Sequence, residues 1–253
     1  DNAMNAQVYI SNDYGQTWNI QQIGIIQTVI PTLPVAISSS GKYQVYANSL
    51  DYIYISNDYG NTWNDIAGLS VAYTDVAVSS SGQYVVVTRS TETLLSNDYG
   101  VTLTALSGLP TNVTLRNNAI SSSGQIIVVT YASGVYVSTN FGISWKQTVL
   151  GFSNVHLSMS STGQYIMVVG NNSSRIYASS DYGATFVQIT GLSITPSYSF
   201  ISANGQYQII SHGTGMVSSV DYGKTWTTNT NYVYKGIAMT SNGRIVVSAT
   251  SSG

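Results

Sequence analysis

Ser56-Asn57-Asp58-Tyr59-Gly60-Asn61-Thr62-Trp63 decides the fold, because the chain writes this phrase six times with small changes. The first copy runs from Ser11 to Trp18, and the others centre on Gly100, Gly142, Gly183 and Gly223. Successive phrase glycines stand 45, 40, 42, 41 and 40 residues apart. A period of that size marks an array of similar supersecondary units that bury their apolar faces against one another.

A second phrase interleaves with the first. Ser-rich turns end at Gly41, Gly82, Gly124, Gly163, Gly205 and Gly243, each followed by a run such as Gln83-Tyr84-Val85-Val86-Val87. Each repeat therefore reads as four short β-rich runs separated by turn residues. In the second repeat these are Val35 to Ser38, Lys42 to Ala47, Tyr52 to Ser56 and Thr62 to Ile66.

The first phrase suits a hairpin between the third and fourth runs. Ser and Asp side chains accept hydrogen bonds from nearby backbone N–H groups, and Gly supplies the positive φ of a tight turn. The closing aromatic opens the next run, where it covers a neighbouring sheet. The departures are graded: Leu103 and Phe186 stand for Trp, Asn140 for Asp and Ser144 for Thr. Each keeps a bulky apolar group or a short polar one, as a structural motif tolerates. An aromatic also follows the acidic position in every copy: Tyr14, Tyr59, Tyr99, Phe141, Tyr182 and Tyr222. Packing over the hairpin and the neighbouring Ser-rich turn is its structural role; sugar stacking or lateral assembly is the alternative.

The phrase resembles the Asp-box, or BNR repeat, of sialidases, sortilin-type receptors, xyloglucan hydrolases and photosystem assembly factors, and the resemblance covers essentially the whole chain. It implies an all-β fold: a six-bladed β-propeller of four-stranded antiparallel blades, with the Asp-box on the hairpin joining the third and fourth strands. Asp13, Asp58, Asp98, Asn140, Asp181 and Asp221 are then structural. The chain opens on a third and fourth strand, Gln7 to Ser11 and Thr17 to Gln21, and closes on a first and second, Gly236 to Thr240 and Arg244 to Thr250. One composite blade from both termini is expected to complete a single domain over residues 1–253. The family's members do unrelated things, so the fold alone names no activity.

Composition bounds the partners. Only 7% of residues are charged, against ~25% in an average soluble protein. A net charge of −2, with four Lys and four Arg spread along the chain, offers no basic stripe for nucleic acid. No apolar run approaches the ~18 residues of a membrane span. Without cysteine there are no disulfides or thiolate metal sites, and His156 and His212 each stand alone, so neither metal nor cofactor is expected. Sequons at Asn112, Asn171 and Asn172 would be acceptors in a secreted chain, and an extracellular or surface setting is expected, with the cytoplasm as the alternative.

Binding residues are expected on the face opposite the two repeated turns, where the repeats disagree most. The loops there carry Asn48 to Asp51, Arg89 to Glu92, Ala132 to Gly134, Gly170 to Arg175 and Ser211 to Thr214. Seven residues before each Ser-turn glycine stand Pro34, Asp75, Asn117, His156, Tyr198 and Gly236, with Arg116 and Lys235 one earlier and Tyr73 and Tyr234 two earlier. Tyr73, Asp75, Arg89, Glu92, Arg116, Asn117, His156, Arg175, Tyr198, His212, Tyr234 and Lys235 are thus the candidate binding set at the channel mouth and in the variable loops. Mixed polar and aromatic groups of this kind suit a glycan or a polar peptide, and a monomer or weak self-association is expected.

Two rival readings remain. Sialidases use three arginines, a Tyr nucleophile with a Glu, and an Asp acid/base; here Glu92 is the only glutamate and the Arg-Ile-Pro signature is missing. A two-carboxylate glycoside hydrolase would draw on Asp51, Asp65, Asp75 and Glu92, with Asp75 and Glu92 as the pair. Alternatively the chain is a structural surface or virion-layer component, for which its low charge and wealth of Ser, Asn and Tyr suit dense packing.

Overall fold

The computed structural model describes residues 4–11, 16–26, 34–47, 53–66, 73–89, 92–110, 115–132, 134–150, 155–170, 175–229, 234–244 and 246–250. All of its regular structure is β. A hairpin of β1 (Met4–Ile10) and β2 (Asn19–Ile26) spans the first Asp-box. Five four-stranded antiparallel sheets follow. They are β3–β6 (Val35–Ile37, Gln44–Ala47, Ile53–Ser56, Asn64–Ile66) and β7–β10 (Tyr73–Val78, Val85–Arg89, Glu92–Ser96, Thr104–Ala105). Then come β11–β14 (Leu115–Ile120, Ile127–Tyr131, Gly134–Ser138, Lys146–Leu150) and β15–β18 (Val155–Met159, Ile166–Gly170, Ile176–Ser179, Val187–Gln188). The last full sheet is β19–β22 (Pro196–Ile201, Gln208–His212, Gly215–Ser219, Thr227–Asn229), and the hairpin β23 (Tyr234–Met239) and β24 (Val246–Thr250) ends the series.

Within every sheet the strands pair in chain order, which makes each a four-stranded meander. The terminal hairpins supply a third and fourth strand at one end and a first and second at the other, so the strands make up six blades. The four expected runs of the second repeat each become a strand, shorter by one or two residues. The chain divides into two compact units, Asp1–Ala105 and Leu106–Gly253.

Burial follows position in the blade. The second strands β4, β8, β12, β16 and β20 are buried at every residue, whereas the outer strands β6, β10, β18 and β22 are largely exposed. In the first unit Val45, Ile53, Ile55, Val76, Val85, Val87 and Leu94 form one apolar layer between adjacent sheets. In the second unit Val128, Val135, Val137, Leu157, Ile166 and Val168 do the same. Each such side chain contributes roughly 1.5–3 kcal/mol by leaving water.

The Asp-box is a closed hydrogen-bond circuit. Ser96 Oγ donates to Asp98 Oδ1 at 2.7 Å and accepts from Gly100 N at 2.8 Å. Asp98 then accepts from Thr102 N at 2.9 Å and from Thr102 Oγ1 at 2.7 Å. The boxes at Asp58, Asp181 and Asp221 repeat these contacts. Asn140 substitutes fully: its Oδ1 accepts from Ser138 Oγ and Ser144 N, and its Nδ2 donates to Ser144 Oγ at 2.9 Å. Asp13 and Tyr14 lie outside the described residues. The Thr225 hydroxyl and amide hold the Asp221 carboxyl down at about 2.

Both repeated turns lie at the same end of their sheet, since the amide after the box acid reaches the Ser-rich turn of its own blade. Tyr59 N donates to Lys42 O at 3.1 Å and Tyr99 N to Gln83 O at 3.0 Å, with the same bond at Phe141, Tyr182 and Tyr222. Successive Ser-rich turns are joined in turn, Ser39 N to Ser80 O at 3.1 Å and Ser161 N to Ala203 O at 2.9 Å.

Asp98→Ala leaves three donors to find new partners and should destabilise the protein by roughly 1–3 kcal/mol, measured by denaturant unfolding, while Asp98→Asn should cost less because Asn140 already works. Box carboxylates depressed below their unfolded value stabilise the fold above pH ~4, and Asp221 loses its share as pH falls through about 2. Acid unfolding followed by circular dichroism should therefore steepen below pH ~4.

Candidate functional site

The end of each sheet away from the Asp-box turns is where the first strand begins and the second turns into the third. At that end four of the six first strands share one irregularity, and β3 and β15 pair without it. A β-bulge interrupts pairing between Tyr73 and Asp75 in β7, between Leu115 and Asn118 in β11, between Pro196 and Tyr198 in β19, and between Tyr234 and Gly236 in β23. A bulge bends the strand and re-aims the side chains beside it. Sequence spacing located the positions, but the extra residue appears only once the partner strand is in register.

In the first unit the bulge brings Tyr73, Asp75, Arg89 and Glu92 to the β7–β8–β9 end. Tyr73 pairs across from Arg89, and Arg89 from Glu92. Tyr73 is buried in the core with Val45 and Ile53. The Arg89 guanidinium is buried too, and its Nη2 is bonded to Glu92 Oε1, so the pair is buried on its Arg89 side and half-exposed at Glu92. Burial lowers the Arg89 pKa, with Tyr73 opposing the shift. Asp75 Oδ1 accepts from Val76 N at 3.0 Å, and its carbonyl accepts from Thr88 Oγ1 at 3.3 Å.

In the second unit Asn117 is held by Thr130, whose Oγ1 accepts from Asn117 N at 3.0 Å and donates to Asn117 O at 3.2 Å. His156 and Tyr198 meet across adjacent blades, rings edge-on with centroids 5.1 Å apart, and Phe200 lies 5.7 Å from the same imidazole. His156 Nδ1 accepts from Ser199 N at 3.2 Å, which leaves the proton on Nε2. Ser158 Oγ donates to Ser199 Oγ at 2.9 Å beneath it. Burial pushes the His156 pKa down to about 4. His212 is buried, with Nδ1 3.2 Å from Thr214 Oγ1 and Nε2 without a hydrogen-bond partner. Its pKa is lowered by desolvation.

Arg175 is exposed just before β17. Arg116, Tyr234 and Lys235 lie on β11 and β23, their side chains outside the description, as are Asp51 and the loop residues Asn171 to Ser174. Among the described residues no three His, Cys, Asp or Glu side chains gather to hold a metal, and no helix is long and apolar enough to cross a membrane. Sequence reasoning missed Thr88, Thr130 and Ser199, the hydroxyls that fix the aligned positions. A hydroxyl in the second strand opposite the bulge is the signal that finds Thr88 and Thr130.

The family described as BNR-Asp box repeat matches residues 135–148, the stretch from β13 through the box to β14. No curated protein matches in sequence. Among solved structures, the GH74 xyloglucanase from Xanthomonas campestris aligns with TM-score 0.62 and 12% identity, over 77% of this chain and 38% of that one. The GH74 enzyme of Niastella koreensis aligns with TM-score 0.62 and 18% identity, over 89% and 37%. YCF48 bound to D1 peptide aligns with TM-score 0.54 and 12% identity, over 82% and 87%. The chain thus spans little more than a third of either GH74 enzyme and most of YCF48, and at these identities the likeness is one of fold.

The depressed His156 pKa sets a pH window. The unfolded imidazole titrates near 6.5 and the folded one about 4, so its contribution is whole above pH 6.5 and is lost as pH falls through about 4. His156→Asn keeps an acceptor and removes the titration. The melting temperature of the parent protein should rise between pH 4 and 6.5, and that rise should shrink in the variant, with His212 supplying the remainder.

Proposed function

Because this chain is a β-propeller built of BNR-Asp box repeats, we propose that it is a non-catalytic binding or scaffold module that recognises a glycan or protein partner through the face opposite the Asp-boxes. The observation that carries this reading is the bulge at the same step of four first strands, beside Asp75, Asn117, Tyr198 and Gly236. One scaffold device repeated with a different residue each time is how a fixed frame presents a specific surface. Asp75 in the first unit, and Asn117, His156, Tyr198, Arg116, Arg175, His212, Tyr234 and Lys235 in the second, are the residues assigned to recognition. Tyr73, Arg89 and Glu92 support the surface from beneath. We assign the protein to an extracellular or surface setting, as a monomer or a weakly self-associating one.

The carboxylates favour binding over catalysis. The described box acids are spent on their own turns, Glu92 is tied to Arg89, and Asp75 receives the Val76 amide. A glycoside hydrolase is the second reading, favoured by the GH74 neighbours, and its pair would be Asp75 and Glu92. Both readings are tested by screening the purified protein on a glycan array and a peptide library and assaying every bound sugar for cleavage. Binding without turnover, weakened about tenfold (~1.4 kcal/mol) by Tyr198→Ala or Asn117→Ala, is the expected result. Cleavage abolished by Asp75→Asn or Glu92→Gln would replace the module with a hydrolase.

A further inference from the structure

A tyrosine or phenylalanine follows the box acid in each described copy, and there it adopts a backbone conformation that suits it badly. Tyr59, Tyr99, Phe141, Tyr182 and Tyr222 have φ of 64°, 63°, 60°, 60° and 64°, and these are the only non-glycine residues with positive φ among the described residues. With the next glycine, such as Gly60 at φ 81°, each forms the paired left-handed conformation of a two-residue hairpin turn, closed by bonds such as Asn61 N to Asp58 O at 3.3 Å. Gly, Asn or Asp fits that position with less strain. The backbone therefore does not select the aromatic.

Part of the selection is structural. Tyr99 stacks on Tyr43 of the preceding blade at 4.8 Å between centroids, and Tyr222 approaches Tyr165 at 5.1 Å. Packing between blades uses only part of each ring, since Tyr59, Tyr99, Tyr182 and Tyr222 stay 50%, 42%, 44% and 41% exposed. In the first unit that exposed aromatic surface lines a groove between blades on the Asp-box side, twice over. Tyr99, with Ile55, Asn57, Asn64 and Val101, walls a cleft of about 260 Å³. One repeat earlier Tyr59 occupies the equivalent wall of a cleft of about 540 Å³, with Tyr9, Trp18, Trp63, Ser11 and Gln44. The larger cleft has no charged residue on its walls and the smaller only Asp65.

We propose that these two grooves are subsites for a neutral glycan, with one sugar ring stacked on Tyr99 in the smaller cleft and another on Tyr59 in the larger. An aromatic face takes up the C–H side of a pyranose, and the side-chain amides of Asn57 and Asn64 exchange hydrogen bonds with its hydroxyls. Walls that carry no cation, and a single carboxylate at Asp65 in the smaller cleft, match an uncharged ligand and exclude a nucleic acid or an acidic polysaccharide, which would enter without a counter-charge. A purely apolar partner would leave the Asn57 and Asn64 amides desolvated. This site is on the opposite face from the surface assigned above and stands independently of it.

The test uses the whole chain and three neutral hexasaccharides, of glucose, galactose and mannose, with a hyaluronan hexasaccharide as the acidic control. Backbone amide shifts are followed at Asn57, Asn64, Gly100 and Val101. At least one neutral probe should move these amides at millimolar concentration, and the control should not. Asn57→Ala/Asn64→Ala should weaken that binding about tenfold (~1.4 kcal/mol) with the melting temperature unchanged. Tyr99→Leu should weaken it while keeping an apolar contact with Tyr43. No shift with any neutral probe, an equal response to hyaluronan, or affinity indifferent to the double asparagine variant would each overturn the proposal. Shifts confined to residues near His156 and Tyr198 would also overturn it, while supporting the opposite face.

Discussion

The serine hydroxyl that opens each described Asp-box organises the rest of its blade. In the second repeat Ser56 Oγ accepts a hydrogen bond from Gly60 N and donates one to Asp58, whose two oxygens then accept from both polar groups of Thr62. This circuit fixes the hairpin between third and fourth strands without help from the core. It also orients the amide of the following aromatic towards the Ser-rich turn of the same blade, so one motif ties both hairpins at one end of the sheet. Because these donors and acceptors are matched within the turn, little polar demand remains there. The described acids of the repeat are committed to their own turns for that reason.

Packing between blades rests on a second constraint, the contact of a large side chain with a neighbouring turn glycine. A methyl group placed on Gly82 would lie 2.1 Å from Tyr43, and one on Gly205 would lie 2.0 Å from Tyr165. The glycine thus serves two ends, a left-handed φ for its own turn and a bare surface for the ring of the preceding blade. With the links between Ser-rich turns, this makes the Asp-box side the regular, tightly specified end of the sheets. The opposite end is free to differ, and there the bulges, His156, Tyr198 and the Arg89–Glu92 pair are found. Function on such a frame divides naturally between a variable face and any groove left between regular blades.

Much of the fold was legible from the chain itself because its information is local. The spacing of turn glycines, the Ser-x-Asp-x-Gly-x-Thr order and the apolar runs between them specify hairpins through contacts within about eight residues of one another, as the Ser56-to-Trp63 phrase shows. From these the strand count, the order within each sheet and the structural role of the box acids all follow. The site was legible in part. Alignment on the Ser-rich turn placed His156 and Tyr198 at equivalent steps of adjacent first strands, and they do touch.

Other features depended on register and on neighbours distant in sequence. Whether Tyr73 projects outward or inward is set by which strand packs beside β7, and the answer was inward. Whether Arg89 is solvated or buried beside a half-exposed Glu92 depends on what packs against β8. The bulges, the depression of the His156 pKa and the half-exposed rings along the inter-blade grooves arise between strands or between sheets, where no single repeat carries the information. The sequence by itself determined the repeating unit, its turns and its number, because hydrogen bonds within a turn join residues close in the chain. The tertiary structure alone decided which polar groups are buried, which are presented and which aromatics keep a face open, because burial is a property of what packs against a residue from elsewhere.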